Sequence, residues 1–306
     1  MKDSNQPETY MLQRPQYRSP LSRRSTKKVQ KKRVQGLMVR WVLAVTICSV
    51  AMTQAVHWST VEAESSKRMF QSESRMRQYV TEQLAQRESM FTFEYEGDTN
   101  TLTKLLSAVM DQSLRSDPFI RYNVSRYSFH WKGTETAALI TVYVNYRETL
   151  EQSRFVRSEA KRIVKRIIHD QQSDYEKIKT LHDYVVKNVA YDESMKHLTA
   201  YEALTVKQTV CQGYALLLQA LLEEAGIPSM IVEGEAGGTL HAWNMVQLGG
   251  KWYHVDATWD DPVPDKKNQV RYTYFLLSDK EIAEDHTWDS LKTPIADHLY
   301  LSTHGG

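Results

Sequence analysis

Cysteine is nearly absent from this chain, with only Cys48 and Cys211 in 306 residues, so a disulfide-stapled fold is excluded. Histidine and cysteine nowhere cluster at zinc-binding spacing. The 12 glycines form no phosphate-cradling loop. Asp256, Asp260, Asp261 and Asp265 lie close together, but their spacing fits no calcium loop. No cofactor and no metal are therefore expected. A dominant charge is missing as well: 39 basic and 37 acidic side chains leave a net +2, which singles out no class of partner. What is present is an ordinary globular composition, 41% hydrophobic and 25% charged, long enough for one large or two modest domains.

The charge is unevenly placed. Arg23, Arg24, Lys27, Lys28, Lys31, Lys32 and Arg33 fall within eleven positions, which alone would suit a nucleic-acid arm. The run from Leu37 to Trp58 argues against it. It carries no charge from Trp41 to Val56, has Trp41 and Trp58 placed for two membrane interfaces, and lets Arg40 snorkel. The run is near the lower length limit for a spanning helix. A cleaved signal peptide, with Ser49 and Ala51 before the cut, and a soluble amphipathic helix are the alternatives. The expectation is a basic cytoplasmic tail over 1–36 and a transmembrane anchor over 37–58. The protein then meets the cell membrane through a single helix, its N-terminus cytoplasmic and the rest extracytoplasmic, with no nucleic-acid partner. Cys48 would sit in the bilayer, leaving Cys211 as a lone exported thiol, a liability unless it is used.

Residues 59–90 are rich in Glu, Arg, Gln and Ser around Met69, Met76, Val80 and Leu84, and read as a solvated helical stalk. Residues 91–150 read as a small βαββ accessory domain: Phe91–Tyr95 alternates as a strand and Leu102–Leu114 is an amphipathic helix. Tyr122–Trp131 and Ala137–Tyr146 are two further strands around Lys132-Gly133. From 151 to 306 the chain reads as one domain. It opens with a basic helix ending at His169, then a helix from Ser173 to Asn188 with Ser173 and Glu176 as a capping box. His182 on that helix faces the core and reads as a packed histidine.

The chemistry concentrates around Cys211. It begins Cys-Gln-Gly-Tyr-Ala and a helix with apolar residues at Tyr214, Leu217, Leu218, Leu221, Leu222 and Ala225, stopped by Gly226-Ile227-Pro228. A thiol in the first turn meets the positive end of the helix dipole and unpaired N–H groups, which favour the thiolate. A nucleophilic thiol needs a base with an orienting group. His241–Leu248 and Lys251–Ala257 flank Gly249-Gly250 and read as an antiparallel hairpin. If Leu248 faces Lys251, His241 and Asp256 share one face as diagonal neighbours, roughly 7–8 Å apart at the backbone. A three-residue loop would instead separate them to opposite faces. His241 is then the base, Asp256 the orienting acid and Cys211 the nucleophile, with the Cys211 N–H as the first oxyanion donor. His254 and His286 are rival bases, His254 lying toward the turn and opposite Met245.

The three motifs Cys-Gln-Gly-Tyr-Ala, His-Ala-Trp-Asn and His-Val-Asp-Ala-Thr-Trp-Asp, in this order, resemble the transglutaminase-like superfamily, particularly its bacterial membrane-associated and cytokinesis-protein-like members. The resemblance covers roughly Ser173 to Trp288. It implies an α+β, papain-like core in which Cys211 opens a helix packed on an antiparallel sheet. It also implies catalytic roles for Cys211, His241 and Asp256, with Trp243, Asn244, Trp252 and Trp259 around them. Thr209 stands where many relatives carry glycine. The superfamily holds cross-linking enzymes, proteases, amidases and inactive members, so the expected activity is thiol-dependent acyl transfer or hydrolysis of a peptide or protein amide, in a substrate of the cell envelope. A non-catalytic envelope scaffold is the alternative.

Overall fold

The computed structural model describes residues 68–266 and 269–300, and the backbone of 2–3 and 8–11. The expected basic tail, apart from those six residues, and the expected span at 37–58 lie outside the described residues. Among the described residues, no helix is long and apolar enough to cross a membrane.

The first layer is a sheet with two helices on it. Its strands are β1 (Lys2–Asp3), β2 (Glu8–Met11), β3 (Met69–Phe70), β4 (Met90–Glu96), β5 (Val124–Gly133) and β6 (Ala137–Tyr146), in the order β1-β5-β6-β4-β3 with β2 also on β5. Period-2 alternation turns Phe91, Phe93 and Tyr95 of β4 and Ala138, Ile140, Val142 and Val144 of β6 inward. Helix α1 (Glu73–Ala85) and helix α2 (Leu102–Arg115) close that face. Of the stalk expected over 59–90, the described residues 68–90 differ from the expectation. Met76, Val80 and Leu84 recur every four residues, so they form a single stripe, and all three are buried in the core of this sheet. The polar residues between them supply the solvent face of a packed helix. Helix α3 (Pro118–Arg121), capped by Asp117, leads into β5.

The second layer carries the motifs. Helices α4 (Leu150–Ile167) and α5 (Asp174–Asn188) each begin with a capping box, Thr149 with Gln152 and Ser173 with Glu176. The short pair β7 (Ala190–Tyr191) and β8 (Gln208–Thr209) brackets helix α6 (Ala200–Thr205). Helix α7 (Cys211–Glu224) follows, and its residues from Cys211 to Leu222 are all buried. A helix apolar on every side belongs in the middle of a core. Around it pack α4, α5, α6 and a five-stranded antiparallel sheet of β9 (Ser229–Ala236), β10 (Thr239–Leu248), β11 (Lys251–Val255), β12 (Phe275–Leu277) and β13 (His286–Trp288), ordered β12-β11-β10-β9-β13. Helix α8 (Asp279–Ile282) lies between β12 and β13.

The β10–β11 hairpin has the two-residue loop expected from Gly249-Gly250, with Leu248 paired to Lys251 and Met245 to His254. Both glycines have positive φ, 58° and 78°, a backbone shape that matches strand twist and that residues with a Cβ avoid. The two layers are joined by Arg121, whose guanidinium grips the Glu233 carboxylate at 2.7 and 2.5 Å, and by Glu148, which accepts the Tyr201 N–H at 3.1 Å. Residues 68–300 fall in one compact unit.

Candidate active site

Cys211 is the first residue of α7. Its N-cap, Val210, has no side chain able to bond the free N–H groups of the first turn. Those donors and the helix dipole are left to act on what lies at the helix start. The approach to the cysteine is tight. A Cβ on Gly213 would collide with Thr209 Oγ1, which itself donates to the His197 and Thr199 carbonyls at 3.2 and 3.4 Å. Thr209 thus buttresses the turn before Cys211, and glycine at 213 makes room for it.

Cys211 packs with Ala215 of its own helix and Ala242 of β10. His241 precedes Ala242. The imidazole Nε2 lies 2.7 Å from Asp256 Oδ2, the partner that the hairpin register predicts. The other nitrogen, Nδ1, is left for Cys211, whose thiol acts electrostatically on the ring. Burial alone would lower the basicity of His241. The Asp256 carboxylate and the neighbouring Cys211 outweigh it and push His241 up to about 10. Asp256 is fully buried, which would raise it, yet it is held well below the usual carboxylate range by His241 and by His286. Its second oxygen, Oδ1, accepts the Thr258 and Trp259 N–H groups at 2.9 and 3.2 Å.

Aromatic residues fix the rings. His241 stacks on Trp243 at 5.8 Å and 17°, and Trp259 lies against it at 6.0 Å. Trp243 donates to His254 Nδ1 at 2.9 Å, and His254 Nε2 meets Asp279 at 2.8 Å. Both nitrogens of His254 are committed and burial lowers its basicity, so it does not stand in for His241 as a base. Asn244 ties β10 to α7 by donating to the Ala215 carbonyl at 3.1 Å. Trp252 is half-buried in a separate cluster with Trp243. His182 is buried against Asp260 at 3.1 Å, the packed histidine that the sequence suggests. Asp261 accepts the Tyr214 hydroxyl at 2.5 Å.

Two features escape the sequence. His286, a rival base in the sequence, bonds Asp256 from β13 instead, and a three-residue strand carries no periodicity from which that contact could be read. Arg121 and Tyr122, from the first layer, also line a groove of about 490 Å³ beside His241, with Glu233, Leu240 and Trp288. His241, Asp256 and His286 offer three donor atoms within 4.8 Å of one another, close enough to hold a metal ion. Those atoms are already spent on each other as hydrogen bonds of 2.7 and 3.1 Å, and we read the group as hydrogen-bonded rather than metal-ligating.

Residues 161–257 match the family model described as the transglutaminase-like superfamily. The kyphoscoliosis peptidase of Mus musculus is 27% identical over 167 residues, 45% of this chain and 25% of the relative. The Homo sapiens protein of the same name is 27% identical over 160 residues, 43% of this chain and 24% of its own length. The chain thus spans about a quarter of the length of these curated relatives. A crystal structure from Cytophaga hutchinsonii, of a candidate cysteine protease, aligns at 18% identity and a TM-score of 0.32. It covers 48% of this chain and 62% of that one, a similarity too low to assign a shared fold. The family match thus places the likeness to the transglutaminase-like superfamily in residues 161–257, the part of the chain that holds Cys211, His241 and Asp256.

Proposed function

We propose that this chain, similar over 161–257 to the transglutaminase-like superfamily, is a thiol enzyme acting on peptide or protein amides, with Cys211 as nucleophile, His241 as base and Asp256 as the acid that orients the base. The observation that carries the proposal is the 2.7 Å bond from His241 Nε2 to Asp256, which leaves Nδ1 for the thiol at the start of α7. The Cys211 proton passes to His241, and the thiolate sulfur attacks the amide carbon. The tetrahedral oxyanion is held by the first N–H groups of α7, beginning with Cys211 itself. Collapse breaks the C–N bond, His241 returns its proton to the leaving amine, and a thioester remains. Water, deprotonated by His241, then attacks the thioester, releasing the acid and restoring the thiol.

Hydrolysis is favoured over transfer to an amine because the curated relatives are named peptidases. A single span at 37–58 would anchor the enzyme in the membrane, with the site outside the cytoplasm and cell-envelope proteins as its substrates. One observation favours a second reading, a non-catalytic interaction module: Cys211 is 1% exposed, so turnover requires the groove to open. The two are separated by incubating the full chain with glutamine-containing peptides and excess primary amine and following products by mass. Cleaved or deamidated product that vanishes in Cys211→Ala supports the hydrolase. Dominant amine adduct makes the chain a cross-linking enzyme, and no product from a broad peptide pool supports the module.

A further inference from the structure

The proposed triad leaves a second histidine at Asp256 unexplained. His286 is fully buried, and its Nε2 lies 3.1 Å from Asp256 Oδ2, the same oxygen that holds His241. Its Nδ1 lies 2.6 Å from Asp285 Oδ1, and the other oxygen of Asp285 accepts the Tyr274 hydroxyl at 2.5 Å. Trp259 and Trp243 wall the ring at 4.7 and 5.0 Å between centroids. Each ring nitrogen therefore faces a carboxylate oxygen. A neutral imidazole has one N–H and can satisfy only one of them. Two ionised carboxylates bonded to one ring require two N–H groups. Asp256 already takes N–H groups at both oxygens, which favours its ionised form, and the Asp285 side chain is 35% exposed, so neither is the better place for a proton.

We propose that His286 is a positioning residue: a buried imidazolium that locks Asp256 between two rings and sets the pH range over which Cys211 and His241 persist as an ion pair. The inference rests on the reading of Cys211 and His241 as the reacting pair. The charged and titratable groups packed on His286 are Asp256 beyond β11, His241 on β10, His254 on β11, Asp285 beside it and Tyr274 ahead of β12. The His286 charge draws on Asp256, so Asp256 holds the His241 imidazolium less firmly than it would alone. It also adds a positive charge near the thiolate. Removing it without removing the donor should therefore hold His241 protonated to higher pH and make the thiolate harder to form. Both limits of the ion pair move toward higher pH.

The test is the pH dependence of Cys211 alkylation by iodoacetamide in the full chain, with His241→Ala, His286→Gln and Asp285→Asn. Gln keeps an N–H for Asp256 but cannot carry charge. Asn at 285 removes the second carboxylate at a partly exposed position, so it remains informative if His286→Gln does not fold. In both variants the acid limb should rise by about one pH unit, a tenfold slower reaction on that limb. Histidine ¹⁵N spectra should show a ring protonated on both nitrogens at neutral pH that disappears in His286→Gln. An unmoved acid limb in both folded variants, or a neutral His286 ring, overturns the role of His286 while leaving the triad intact. If native alkylation follows a model thiol and His241→Ala changes nothing, the triad reading itself fails.

Discussion

At the scale of single residues, Asp256 is the pivot of the site, because every donor around it converges on one buried carboxylate. Replacing it by Asn keeps the size but reverses the demand on His241. An amide N–H in place of Oδ2 would need an acceptor at Nε2, moving the ring proton to Nδ1 and blocking proton uptake from the thiol. Asp256→Asn should therefore lower Cys211-dependent turnover by roughly a thousandfold or more with little change in substrate affinity, measured as kcat against KM. The pH window follows from the same pair. His241 is raised to about 10, so the stability it contributes is fully present below the ordinary histidine range and is lost as pH rises through about 10. Asp261 titrates nearer neutrality. Burial lifts it to about 7, against the opposing bond from Tyr214. A carboxyl raised on folding favours the folded state at low pH, and that advantage drains away as pH climbs from the ordinary carboxylate range to about 7. The stability of native protein relative to Asp261→Asn should fall between pH 4 and 7 and level off above it. Urea midpoints that run parallel over that range would contradict the shift.

At the scale of elements, what the sequence reveals depends on whether a pattern repeats long enough to be read. Helix α7 was legible because six apolar positions recur at helical spacing before Gly226. The hairpin was legible to the register, since Gly249-Gly250 fixes the turn and the turn fixes which residues face one another. The same register delivers His241 to Asp256, so that pairing is legible in the sequence. Helix α1 was legible as a helix but not in its burial, because three apolar residues among charges look the same on a stalk and on a core. Strand β13 is three residues long, and the arrival of His286 depends on its pairing with β9, which no local pattern records. The departure at Thr209 is a packing matter between β8 and α7. Gly213→Ala should destabilise the protein by about 1–3 kcal/mol through collision with Thr209. Adding Thr209→Gly should recover part of that loss, seen as non-additivity in a double-mutant cycle by urea unfolding. Additive losses would show that the two residues do not share space.

At the scale of the whole molecule, the proposed anchor and one part of the structure make opposing demands. A single crossing at 37–58 puts residues 2–11 on the cytoplasmic face and residues 68–300 on the other. The sheet instead sets β2 beside β5, with Tyr10 paired to Tyr127. One chain cannot hold both arrangements at once. If the anchor is real, β5 loses β1 and β2 in the membrane-bound molecule and becomes an edge strand, with unpaired backbone groups available to another strand. Arg126, which is exposed, and Lys132 are the charged residues of β5 that would discourage such pairing. The experiment uses Tyr10→Cys and Tyr127→Cys in a Cys48→Ala, Cys211→Ala background, with the full chain expressed in cells. The anchor predicts that the chain stays in the membrane pellet after alkaline carbonate, that protease added to spheroplasts removes the C-terminal domain, and that oxidant forms no disulfide between positions 10 and 127. Extraction into the supernatant together with rapid formation of that disulfide would remove the membrane from the proposed function and keep β2 in the sheet. The thiol chemistry proposed at Cys211 depends on neither outcome, because Cys211, His241 and Asp256 all lie in the second layer.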